Sequence, residues 1–81
     1  MFNLKEIVYE YHYDVIGNQL VRFNKDMMIF QVYNWKDKNW RSDTLAFDVA
    51  FWTTERFFGK ISESKAEQII KDFYKNEENN V

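Results

Sequence analysis

Cysteine and proline are absent from this 81-residue chain, glycine occurs twice and histidine once. Without cysteine there are no disulfides and no thiolate metal sites, which fits a reducing compartment. With only Gly17 and Gly59 there is no glycine-rich loop to cradle a phosphate. No apolar run approaches the roughly 18 residues of a spanning helix, and residues 1–6 lack the apolar stretch of a secretory signal. The expectation is a soluble, cytoplasmic protein with no membrane partner.

Catalytic chemistry is equally thin. The single histidine, His12, falls on a polar strand face beside Glu10 and Asp14. These three at i, i+2 and i+4 point the same way and have the chemistry to ligate a divalent ion. An ordinary charged strand face accounts for them as well, so no metal and no cofactor is expected. Ser42, Ser62 and Ser64 have no histidine partner in sequence reach. A domain this small rarely encloses the cleft that paired carboxylates need. No catalytic residue is assigned, and the chain reads as a non-enzyme.

What is present is aromatic. Phe, Tyr, Met, Ile, Asn and Lys together number 38, against 8 for Gly, Ala, Arg and Pro. That bias follows AT-rich codons and is common in low-GC bacteria and their phages. Tryptophan escapes it, so Trp35, Trp40 and Trp52 carry more weight than the phenylalanines. Net charge is −2, too small for a whole-chain nucleic-acid binder. Residues 18–41 carry +3, whereas residues 1–17 carry −2 and residues 42–81 carry −3. A basic hairpin therefore interrupts an acidic protein.

Period-2 alternation of Ile7, Tyr9, Tyr11, Tyr13 and Val15 predicts a half-buried strand over residues 5–16. Gly17-Asn18 signals a turn and residues 20–24 the returning strand. A loop of Ile16-Gly17-Asn18 would set Tyr13 against Val21 and Tyr11 against Phe23, matching apolar to apolar. Residues 27–35 form a third strand, apolar on both faces and so covered twice, or covered once with the second face used for binding. Residues 43–58 favour a strand by the alternation of Leu45, Phe47, Val49 and Phe51. The alternative is a helix capped by Ser42 or Asp43. A final helix opens near Ser62 or Ser64 and runs to about Asn76, burying Ala66, Ile69, Ile70 and Phe73. The fold class is α+β: an antiparallel meander of three to four strands with one C-terminal helix across its tyrosine-rich face. Residues 1–76 form one domain and residues 77–81 a flexible acidic tail. No internal repeat is visible.

Two functions remain. Tyr33, Trp35, Lys36, Lys38, Trp40 and Arg41 crowd one polar turn, and Trp, Tyr and Arg are the residues that binding hot spots favour. The first reading is a protein–protein interaction module anchored there, with a homodimer as one form. Small non-catalytic proteins of this kind serve phages and mobile elements as inhibitors of host defence enzymes, or act as immunity proteins. The alternative is a single-stranded nucleic-acid binder that stacks bases on the same rings. The acidic C-terminal third and the element order favour protein. Whether Trp35 and Trp40 are exposed anchors or lids on the core is open at this level.

Overall fold

Three hairpins of one geometry build most of the sheet. In a computed structural model that describes residues 7–52 and 58–79, strands β1 (Glu10–Asp14), β2 (Gln19–Asn24), β3 (Ile29–Asn34) and β4 (Asn39–Ser42) form an antiparallel meander. Four-residue turns join them, and the last residue of each, Asn18, Met28 and Lys38, has positive φ. The residue before each turn caps it. Asp14 accepts from the Ile16 N–H, Asn24 from the Met27 N–H and Asn34 from the Asp37 N–H, at 2.8 to 3.0 Å. Asp and Asn are suited to this because their short side chains mimic a backbone turn.

The register repeats as well. Tyr13 faces Leu20, Phe23 faces Phe30 and Tyr33 faces Trp40, so the chain carries a ten-residue period that its residues only faintly announce. The first hairpin corrects the expected register, with Tyr13 opposite Leu20 and Tyr11 opposite Arg22. Its turn is one residue longer than supposed. Apolar pattern did not separate the two registers because Leu20 and Val21 are both fully buried, on opposite faces.

Residues 43–58 are corrected from strand to helix in their first part. Helix α1 (Thr44–Phe51) starts at Asp43, whose side chain accepts from the Leu45 N–H at 2.9 Å. Ala46 is fully buried against the sheet, and Phe47 and Phe51, one turn apart, both meet Phe30. A strand would have turned those two rings the same way without bringing a small residue onto the sheet. Residues 53–57 lie outside the described part. Gly59 belongs to a fifth strand, β5 (Phe58–Ile61), paired with β1. The sheet order is β4-β3-β2-β1-β5, one strand more than the meander of three to four.

Helix α2 (Glu63–Asn79) closes the chain. Of the two capping serines, Ser62 is the one used: its hydroxyl accepts from the Lys65 N–H at 3.1 Å. α2 runs through Asn79, past its expected end near Asn76, and residues 80–81 lie outside the described part. Neither glycine nor proline stands there to stop a run of good helix formers. α2 packs on the tyrosine face, Ala66 joining Tyr11, Leu20 and Tyr33 in the core. α1 covers the opposite face, over β2 and β3. The sheet therefore lies between two helices, α1 over β2 and β3 and α2 on the tyrosine face against β1.

Candidate binding surface

The six residues singled out by sequence divide sharply on the structure. Tyr33 is only 8% exposed. Trp35 and Trp40 are half-buried and packed against the core cluster. Trp35 lies 4.6 Å from the Phe73 ring and donates its indole N–H to the Asn18 carbonyl at 2.8 Å. Trp40 meets Tyr33 and Tyr11 edge to face at 5.1 and 5.9 Å. Both tryptophans are lids on the core: β3 delivers Trp35 to the underside of α2, and β4 lays Trp40 beside β3. Lys36, Lys38 and Arg41 are exposed. Arg41 pairs with Asp37, and Lys38 lies 4.8 Å over the Tyr74 ring. The basic turn is real, but its aromatic neighbours face inward.

One exposed apolar group lies at the other end of the meander, apart from Val15 and Ile16, which are 76% and 80% exposed in the β1–β2 turn. Met27 and Met28, in the β2–β3 turn, are 56% and 63% exposed, and Trp52, the C-cap of α1, is 60% exposed. Phe47 and Phe51 are exposed as well, their rings 4.8 Å apart and both against Phe30. Lys25 reaches over this surface, its ammonium 5.3 Å from the Phe51 ring. An open groove of about 720 Å³ runs alongside, lined by Met28, Phe30 and Phe47 with Ile7 and Tyr9 opposite. Single exposed apolar residues are ordinary on a soluble protein, but a contiguous group marks a contact site.

Met28 adds a second oddity, with φ of 55°. The left-handed region costs a non-glycine residue about 1–2 kcal/mol, and Asn or Gly would occupy it more readily. A large apolar residue held there in the open contributes nothing visible to the core. The alternation places Met27 and Met28 at the start of a strand, whereas they stand in the β2–β3 turn. The signal that would have found them is the ten-residue hairpin period, which puts both at turn positions where polar residues are usual.

The polar strand face is a small charge cluster. His12 and Glu10 are 2.8 Å apart, and Lys60 of β5 stands 3.7 Å from Glu10. The hydrogen bond from His12 holds the Glu10 carboxyl below its usual range, against the opposing pull of burial and with help from Lys60. Asp14, the third of the trio weighed as ligands, is turned to the Ile16 N–H. Among the described residues no group of three acidic, histidine or cysteine side chains is placed to hold a metal ion, and no helix is long and apolar enough to cross a membrane. Compared with known proteins, the chain matches no family model, no curated protein and no solved structure.

Proposed function

We propose that the protein is a small protein–protein interaction module and that its contact surface is the apolar end formed by the β2–β3 turn and α1. The observation that carries this reading is the grouping of Met27, Met28, Phe47, Phe51 and Trp52, all exposed, around a methionine in the left-handed region. Met28 holds the same left-handed turn position as Asn18 and Lys38 and is the one large apolar side chain of the three. Methionine and aromatic side chains are enriched at interfaces, and methionine adapts to irregular partner surfaces. A module of this size acts by covering a partner's surface. That is the inhibitor- or immunity-type action, on an enzyme of a bacterial host, that composition suggests.

The test compares wild type with a Met27→Ser/Met28→Ser/Trp52→Ser variant in capture from native host extract, with sedimentation measured on both. The variant is expected to keep its melting temperature and to lose the captured protein. Equal capture by both proteins would refute the apolar end as the contact surface. Concentration-dependent dimerisation of wild type alone would identify a second copy as the occupant. A Lys36→Gln/Lys38→Gln variant tests the nucleic-acid reading. Single-strand binding that falls steeply with salt, and less steeply in this variant, would favour it.

A further inference from the structure

Arg22 stands at the centre of a row of side chains drawn from β2, β3, β4 and the residue before β1. Its guanidinium carbon lies 4.0 Å from the ring centre of Tyr9, which precedes β1, and 4.3 Å from that of Trp40 in β4. Its Nε donates to Gln31 Oε1 of β3 at 2.7 Å. Two ring contacts and one hydrogen bond fix the position and plane of the group, and arginine's planar fork keeps that orientation. The residue is half-buried. α2 packs on the tyrosine face through Ala66 against Tyr11, Leu20 and Tyr33, and Tyr74 reaches toward Trp35.

Among the described residues the ion pairs are His12–Glu10, Arg41–Asp37 and Lys60–Glu10, and none includes Arg22. Glu63 Oε1 lies 3.5 Å from the Tyr11 hydroxyl. Gln31 takes Nε and the Tyr11 hydroxyl accepts from the guanidinium as well, which among the described residues leaves three of the five N–H donors. A half-buried cation with a fixed plane and free end-on donors is arranged for one planar, bidentate acceptor.

We infer that Arg22, framed by Tyr9, Trp40 and Gln31, is a receptor for a single carboxylate, such as an acidic side chain or chain terminus of a bound protein. A polyphosphate fits poorly, because it is recognised by several cations along its track. Here Lys38 lies over Tyr74 at the far end of the sheet. Arg41, next to Trp40 in β4, points to the other face and is paired with Asp37. Tyr9 and Gln31 also line the groove beside the apolar end, so the two surfaces adjoin.

The experiment is an NMR titration of the intact chain with sodium acetate, reading the Arg22 Nε–H and Trp40 indole signals. Sodium chloride at equal ionic strength and inorganic phosphate serve as parallel arms. Acetate is expected to shift both signals saturably, chloride is expected to give no saturating shift, and phosphate is expected to bind no more tightly than acetate. The response is expected to disappear in Arg22→Gln and to weaken in Arg22→Lys, which keeps the charge but loses the fork. The chloride arm uses wild type and so does not depend on a variant folding. Absence of a saturable acetate shift overturns the inference, as does tighter binding of phosphate. A response that appears only in Glu63→Gln also overturns it, since Glu63 would then already fill the site.

Discussion

The Tyr74 hydroxyl donates to the Trp35 carbonyl oxygen at 2.6 Å, a bond between residues 39 apart in sequence. It fastens the later part of α2 to the end of β3, where Trp35 already lies between Asn18 and Phe73. Burial first, and then the hydrogen bond and charge of Tyr33, push the Tyr74 hydroxyl up to about 12. An acid whose folded value is raised favours folding while it is protonated. That contribution is complete below the unfolded value near 10 and is lost as pH rises through about 12.

Thermal melts between these two values should therefore fall with rising pH, and Tyr74→Phe should make the fall shallower. It should not abolish it, because Tyr11 and Tyr13 are also raised, chiefly by burial. At neutral pH the same variant should lose about 1 kcal/mol for the missing hydrogen bond. Equal slopes in the two proteins would remove Tyr74 from the alkaline transition.

Trp35→Ala should destabilise the fold by about 3 kcal/mol, since it opens a space between the β1–β2 turn, β3 and α2. Trp40→Ala should act in the same direction by also stripping one ring from Arg22. A chemical denaturation series reads both. Changes below about 0.5 kcal/mol, the size usual for surface sites, would mean that neither ring is a core lid.

Met28→Gly should raise stability by up to about 1 kcal/mol, because glycine relieves the left-handed strain and the larger freedom of the unfolded chain offsets only part of the gain. The same change should weaken capture of a partner if the apolar end is the contact surface. A melting temperature that falls would show that Met28 packs more than its exposure indicates.

Asn24→Ala and Asn34→Ala should each cost about 1 kcal/mol, since each removes the acceptor for a turn N–H. Hydrogen exchange should speed up at Met27 in the first variant and at Asp37 in the second, each locally. Unaltered exchange at these amides would show that the turns hold without their caps.

At acid pH the Glu10–His12 pair should matter modestly. The Glu10 carboxyl is lowered by the His12 hydrogen bond, so its stabilising contribution is present above the unfolded value and lost as pH falls through the folded one. Glu10→Gln should flatten that part of an acid titration followed by circular dichroism. Because the side chain is 40% exposed, solvent screening keeps the effect small.

The sequence by itself determined the α+β class, the first three strands and the α2 stripe. Tyr9, Tyr11 and Tyr13 alternate at a strand's period, and Ala66, Ile69, Ile70 and Phe73 recur at a helix's, and each pattern extends over enough residues to settle locally. Tertiary structure alone decided the register of the first hairpin, the helix at Thr44–Phe51, the fifth strand and the orientation of the tryptophans. In each case the local signal was divided. A sheet covered on both faces makes Leu20 and Val21 equally acceptable inward, so apolarity does not choose between registers. Leu45, Phe47, Val49 and Phe51 fit either period over eight residues, and contact of Ala46 with the sheet and of Phe47 and Phe51 with Phe30 selects the helix. β5 is four residues long and exists through its pairing with β1. Trp35 and Trp40 flank a polar turn in sequence, but whether a ring there faces water or core depends on α2, which arrives almost thirty residues later to cover Trp35.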